Sequence, residues 1–183
     1  MFLKSIVTLS ILLLNLAIYE FIIGYMRQKD RYYIYKLAES RAKKLNKKLI
    51  VFGDPYSGKG SKIYNKFMNT YGCGDIVVDI KLSKKYDNCI EMDMLSYLKT
   101  CDDNSNVVFI SCVLEYVDNL DEIIGELLRV TGSYDNIYVV TVSKYSIFAY
   151  LYQDQDHHAK QIVRAPPKHD CIVYTKNFMC GKK

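Results

Sequence analysis

The residues with the clearest chemical potential form a glycine-containing turn between an apolar segment and a polar one. This turn has the sequence Gly53-Asp-Pro-Tyr-Ser-Gly58-Lys59-Gly60-Ser61. Glycine permits backbone torsions and close approaches that other residues resist. Backbone N–H groups of such a turn, placed before a helix, can cradle phosphates while Lys59 reaches the terminal ones. The turn therefore predicts a site for a nucleotide-like ligand.

A carboxylate stands near the end of the next apolar segment, DIVVDI (75–80). Asp79 lies 21 residues after Gly58. An acid at the end of an apolar strand needs a polar partner, and in dinucleotide-binding folds the ribose hydroxyls provide one. The alternative is that Asp79 caps the turn that follows it.

Strands and helices must alternate to position these residues. We predict strands at 49–53, 75–80, 89–92, 106–114, 136–142, 159–165 and 171–175, and helices at 59–69, 94–99, from Asn119 or Asp121 to Gly132, and at 145–152. Such alternation, with continuous apolar runs, favours a mostly parallel sheet covered by helices on both faces. Ligands then bind beyond the carboxyl ends of the strands.

These segments together resemble the small class I S-adenosylmethionine-dependent methyltransferases over about residues 49–177. The segments that carry the resemblance are LIVFGDPYSG (49–58), Asp79, Glu91-Met-Asp93-Met94, and the block from Ser111 to Val130 followed by NIYVVTV. The resemblance implies a Rossmann-like sheet closed by an antiparallel pair, with CIVYT inserted beside NIYVVTV. It implies S-adenosylmethionine as cofactor, held by Gly53, Asp54 and Gly58 at its amino-acid end, Asp79 at the ribose, and Asp93 and Met94 at the adenine. Ser111, within the predicted fourth strand (106–114), completes the expected site.

Two alternatives depend on departures from that pattern. Val51 replaces the acid of the first strand, Pro55 replaces the second glycine, and Tyr56 would crowd the cofactor pocket. These changes favour a catalytically inactive scaffold that keeps the fold. The same turn resembles the phosphate-binding loop of adenylate kinases, which predicts a nucleotide-binding protein. Phosphoryl transfer relies on cationic side chains that stabilise the negative charge of the transferred group. Only two arginines follow residue 48, which argues against a nucleotide kinase.

A few further residues are candidates for contact with a substrate or for catalysis. Glu115 and Tyr116 follow the fourth strand, where methyltransferases often contact their substrate, although Tyr116 can equally pack under the next helix. His158 or His169 could serve as a general base. The six cysteines show no metal spacing, so we predict free thiols, with Cys112 in the core, and no metal site.

The N-terminal segment 5–26 is mostly apolar, has one charged residue, Glu20, and is long enough to span a membrane. A basic flank follows it, which predicts a single-pass anchor with the domain facing the cytosol. We divide the chain into this anchor (1–26), a basic juxtamembrane helix or linker (27–48), the methyltransferase-like domain (49–178) and a tail (179–183). The basic segment either binds anionic lipid head groups or is a solvated spacer.

Composition and charge exclude some classes of protein and of partner. The chain has 183 residues, half of them hydrophobic, which excludes a disordered protein. Residues 1–48 carry 10 Lys and Arg against 3 acids, or +7, whereas residues 49–183 carry 15 against 17, or −2. A domain at −2 is a poor nucleic-acid binder, so we expect no nucleic acid as partner. The whole chain has 17 Tyr, no Trp and abundant Lys, Ile and Asn. This composition is typical of proteins from AT-rich genomes, such as those of some viruses.

Overall fold

Apolar segments of the chain form one sheet in the structure, a computed structural model that describes residues 2–56, 59–83, 86–114, 116–117, 119–140, 172–175 and 178–180. The strands are β1 (Lys48–Phe52), β2 (Ile76–Asp79), β3 (Cys89–Glu91), β4 (Asn106–Ser111), β5 (Ile137–Val140), β6 (Ile172–Thr175) and β7 (Phe178–Cys180). The helices are α1 (Phe2–Leu45), α2 (Lys59–Met68), α3 (Met94–Lys99) and α4 (Leu120–Thr131), with a 3₁₀ turn at Tyr134–Asn136.

The strands lie in the order β3-β2-β1-β4-β5-β6-β7. All neighbouring pairs from β3 to β6 are parallel. Phe52 at the end of β1 is in register with Val78 of β2 and Ile110 of β4, so the carboxyl ends of the central strands lie at one edge. The prediction of a mostly parallel sheet with helices is confirmed.

The end of the sheet differs from the expectation. CIVYT does lie beside β5, but β6 runs parallel to β5. Its antiparallel neighbour is β7, which extends into the residues expected to form a tail. Only residues 176 and 177 separate β6 from β7, and such a short connection requires antiparallel pairing. The predicted strand at 159–165 and helix at 145–152 lie outside the described residues.

Helix α1 joins the predicted anchor and the basic segment in one helix of 44 residues. Its first part contains a stretch long and apolar enough to cross a membrane, and that stretch is not buried. Its second part packs on the sheet through Ile34, Tyr35, Ala38 and Ala42, all buried. The segment after residue 27 is thus part of the core.

The two faces of the sheet have separate cores. Strand alternation directs Leu49 and Val51 of β1 toward α1, and Ile50 and Phe52 toward α3 and α4. Helix α4 ends as predicted at Gly132, whose left-handed backbone (φ 72°) lets its N–H bond the carbonyl of Leu128. Strands β1, β2 and β4 therefore have packed cores on both faces.

Candidate functional site

A cavity of about 750 Å³ lies at the carboxyl ends of β1, β2, β3 and β4. Six of the seven predicted site residues line it: Gly53, Asp54, Asp79, Asp93, Met94 and Ser111. They come from four separate parts of the chain, and the parallel sheet brings them together. The seventh, Gly58, lies outside the described residues.

Gly53 has the backbone geometry that requires glycine. Its φ is +96°, and a Cβ atom added there would collide with the backbone carbonyl oxygen of Ser111. The N–H of Gly53 donates to the carbonyl of Val78 at 3.0 Å. The turn after β1 therefore packs against the end of β4 more closely than a residue with a side chain would allow.

The carboxylates of Asp54 and Asp79 fix the loops around this turn. Asp79 Oδ2 accepts a hydrogen bond from the N–H of Asp54 at 2.6 Å, and its Oδ1 accepts one from the N–H of Lys81 at 3.2 Å. Asp54 is only 6% exposed, and it accepts from the N–H groups of Tyr56 and Ser83, both at 2.7 Å. The expected turn-capping role of Asp79 is thus present, and a second bond ties β2 to the turn after β1.

Asp93 and Met94 form the opposite wall. Asp93 is the N-cap of α3, with its carboxylate accepting from the N–H of Ser96 at 2.9 Å. Hydrogen bonds from Ser96 hold the pKa of Asp93 below its ordinary value. Met94 is buried against the core, so its side chain forms an apolar surface beside the cap.

Sequence reasoning missed two arginines of α1 that line the cavity, Arg27 and Arg31. Arg31 is 4% exposed, and its guanidinium donates to Ser111 Oγ and to the carbonyl of Tyr71, both at 3.0 Å. Burial, and then the charge of Arg27, lower the pKa of Arg31 to about 10, so it stays charged at neutral pH. Their spacing of four residues, which places both on one helix face, was the available signal.

The prediction that Cys112 lies in the core was wrong. Cys112 follows the end of β4 and lines the cavity. Its φ is +55°, a left-handed value uncommon for cysteine, and its N–H bonds the carbonyl of Val140 at 2.8 Å. Arg27 donates to its Sγ. Cys73, Cys89, Cys101 and Cys112 are free thiols, as expected.

Tyr56 does not crowd the cavity, contrary to the expectation. Its ring packs against Tyr71 and Tyr86, with centroids 4.8 and 5.3 Å away, and its hydroxyl lies 3.2 Å from Cys73 Sγ. Burial raises the pKa of this phenol, which stays neutral. Pro55 does line the cavity, while Val51 is buried under α1. The turn therefore departs from the methyltransferase pattern at Pro55, but the Tyr56 side chain does not fill the cavity.

Tyr116 lines the cavity and is 39% exposed, so it does not pack under α4. Glu115, His158 and His169 lie outside the described residues. Among the residues that the structure describes, no group of His, Cys, Asp and Glu is arranged to hold a metal ion.

No protein-family model, curated protein or solved structure matches the chain.

Proposed function

We propose that this protein is a membrane-anchored S-adenosylmethionine-dependent methyltransferase. The observation that carries the proposal is the convergence of Gly53, Asp54, Asp79, Asp93, Met94 and Ser111 on one cavity. The strand order 3-2-1-4-5 supports it, because dinucleotide-binding Rossmann sheets have this order and bind ligands at the same edge. A methyltransferase-type Rossmann fold is part of the proposal.

The polar and apolar groups of the cavity suit the parts of such a cofactor. Asp79, half-buried at the end of β2, would accept from ribose hydroxyls. Asp93 and the backbone of Met94 would meet the adenine, whose base packs on the apolar wall. Gly53 and Asp54, which line the cavity, would contact the amino-acid end together with Gly58.

Arg27 and Arg31 suit the cofactor's carboxylate. Both guanidinium groups border the cavity beside the turn after β1. Guanidinium groups bind carboxylates with paired, charge-assisted hydrogen bonds, and these are strong in a partly buried site. Since Arg31 is held by Ser111 and Tyr71, we assign it the role of positioning, and Arg27 that of direct contact.

When bound, S-adenosylmethionine supplies a methyl group on a positive sulfur, which is already a good leaving group. The protein then contributes mainly position, since alignment of two reactants can supply much of the rate. Tyr116 lines the cavity and is 39% exposed, and we assign it to contact with the acceptor. We expect the acceptor at or near a membrane.

One observation favours a second function, that of an inactive scaffold. Asp54, Asp79 and Asp93 each already accept hydrogen bonds from backbone N–H groups. A site whose acids are engaged within the protein can persist without a ligand. In that case the fold would act as a membrane-tethered interaction module.

Membrane attachment and orientation are also part of the proposal. Segment 5–26 of α1 would span the bilayer, and the basic residues after it would stay on the cytosolic side. The negatively charged lipids of that leaflet would attract the exposed ones, such as Lys29. The domain would therefore face the cytosol.

Thermal unfolding of the full-length protein in detergent micelles tests the function. Ligand at about 100 times its Kd stabilises by about 2.7 kcal/mol, or on the order of 5–10 °C here. A shift with S-adenosylhomocysteine that is lost in Asp79→Ala and kept in Asp102→Ala, an exposed control, supports the methyltransferase. A shift with Mg-ATP alone, lost in Lys59→Ala, would instead support the phosphate-binding loop. No thermal shift with any of these ligands at millimolar concentration would favour the scaffold.

A further inference from the structure

Helix α2 presents two large apolar side chains to the surroundings of the protein. Ile63 is 65% exposed and Phe67 is 80% exposed. They are four residues apart and therefore lie on the same face of the helix. Lys66 beside them is exposed as well. An apolar face flanked by cationic residues is typical of helices that lie in a membrane interface.

Helix α2 also packs on α1, through Tyr64. The Tyr64 hydroxyl donates to the carbonyl of Phe21 at 3.1 Å, and the two rings lie 5.5 Å apart. Gly24 contacts the same tyrosine so closely that an added Cβ would lie 2.7 Å from its hydroxyl oxygen. Phe21 and Gly24 belong to segment 5–26. Helix α2 thus packs against the part of α1 that is apolar enough to cross a membrane.

The depth of this contact agrees with an interfacial helix. At 1.5 Å per residue, Gly24 lies about 4.5 Å, and Phe21 about 9 Å, beyond Arg27 along α1. Interfacial helices bury their apolar face about 5–10 Å into the boundary between head groups and acyl chains. If the basic flank begins at the head groups, α2 lies at that depth.

The direction of α1 places the cavity on the same side. Only Asn46 and Lys47 connect α1 to β1, so the two elements run antiparallel. Arg31 accordingly meets Ser111 at the carboxyl edge of the sheet, and Arg41 meets Asn136 at the amino edge. Segment 5–26 therefore leaves the domain from the edge that carries the cavity. Ile80, in the cavity wall, is 65% exposed at this edge.

We propose that α2 is a membrane-interface helix that inserts Ile63 and Phe67 into the phospholipid bilayer spanned by α1. Lys66 then meets the phosphate and carboxylate groups of the lipid surface. This second attachment holds the domain with its cavity against the head groups, so that the cavity receives an acceptor from the membrane surface. The inference depends on the proposed membrane span.

Because the chain contains no tryptophan, a single substitution introduces a unique fluorescent reporter. The experiment uses the full-length chain reconstituted in phosphatidylcholine–phosphatidylserine vesicles, with phosphatidylcholine of brominated acyl chains as quencher. Phe67→Trp and Ile63→Trp report on α2, and both replace exposed side chains. Leu13→Trp, in the middle of segment 5–26, tests the span itself. Lys44→Trp, exposed near the amino edge of the sheet, is the soluble-side control.

We expect brominated lipid to quench Phe67→Trp and Ile63→Trp at least twofold, with blue-shifted emission, and to leave Lys44→Trp within a tenth of its intensity. Quenching of Leu13→Trp with none at positions 63 and 67 would overturn the α2 proposal while supporting the span. Emission from Phe67→Trp that is blue-shifted but not quenched, and that changes with the protein-to-lipid ratio, would overturn the α2 proposal. It would indicate that α2 contacts a second copy of the protein. Failure to quench Leu13→Trp would refute the span and, with it, this proposal.

Discussion

The N–H of Asp54 donates a hydrogen bond of 2.6 Å to the carboxylate of Asp79. This bond joins the turn after β1 to the end of β2, two loops that both border the cavity. The acid proposed to bind ribose hydroxyls thereby also sets the position of the turn proposed to hold the amino-acid end. Removing Asp79 should therefore affect stability as well as binding.

Asp79→Ala should lower the free energy of unfolding by about 1–3 kcal/mol, because two loop N–H groups lose their acceptor. Asp79→Asn keeps one acceptor oxygen and should lose less. Urea unfolding in mild detergent measures both. The control Asp102→Ala, an exposed site, should change stability by no more than about 0.5 kcal/mol. Equal stability of the Asp79→Ala and Asp102→Ala proteins would show that the loop bonds do not contribute.

Gly53→Ala should destabilise the protein by at least about 2 kcal/mol. A left-handed backbone alone costs a residue with a side chain roughly 1–2 kcal/mol, and the added methyl group must also displace the Ser111 carbonyl. Gly125→Ala is the matched control, because it lies within α4 with open space around it. It should stabilise by about 0.5–1 kcal/mol through helix propensity. Changes of the same sign in the two variants would contradict the geometry of the turn.

Asp93→Ala should cost about 1 kcal/mol at neutral pH, the usual effect of losing an N-cap, whereas Asp93→Asn should cost little. The pKa of Asp93 is below its ordinary value of 3.8 in the folded protein, so its contribution is full above that value. The contribution is lost as the pH falls through the folded-state pKa. Unfolding curves between pH 7 and about pH 2 should show the advantage of the native protein over Asp93→Asn shrinking in acid, while the gap between the two variants stays constant. A gap between native protein and Asp93→Asn that widens in acid would contradict the assigned hydrogen bonds.

Deletion of residues 1–47 should abolish cooperative folding, whereas deletion of residues 1–26 should not. The buried apolar residues of the sheet face under α1 are Leu49, Val51, Val77, Val107, Phe109, Tyr138 and Val140. Exposing each of these seven side chains costs about 1.5–3 kcal/mol. The total, about 10–21 kcal/mol, is as large as the whole stability of a typical domain, about 5–15 kcal/mol. Near-ultraviolet circular dichroism and thermal melts compare the two truncated chains. A sharp melt from the chain beginning at Lys48 would show that α1 is dispensable.

Much of the fold was predictable because short apolar runs such as 106–111 that alternate with helices are typical of buried parallel strands. The location of the cavity followed from the same pattern, since parallel strands end at one edge. The packing of α1 on the sheet was not predictable in this way. Arg31 is polar and suggests a solvated face, yet it is buried because Ser111 and the carbonyl of Tyr71 accept its hydrogen bonds.

Details of individual side chains required the structure. Tyr56 was expected in the cavity, but the Tyr71 and Tyr86 rings, which are distant in sequence, hold it elsewhere. Cys112 appeared to continue the apolar run of β4, whereas the strand ends at Ser111 and the chain turns there with a positive φ. Both outcomes depend on contacts between segments, which local periodicity does not contain.

The most direct test of the central claim is equilibrium binding of radiolabelled S-adenosylmethionine to the full-length protein in lipid nanodiscs. We predict saturable binding that unlabelled S-adenosylhomocysteine displaces and Mg-ATP does not, with at least tenfold weaker affinity in Asp79→Ala and unchanged affinity in Asp102→Ala. A folded protein that shows no saturable binding at millimolar ligand, or binding unaffected by Asp79→Ala, would contradict the assignment of this cavity to an adenosyl cofactor.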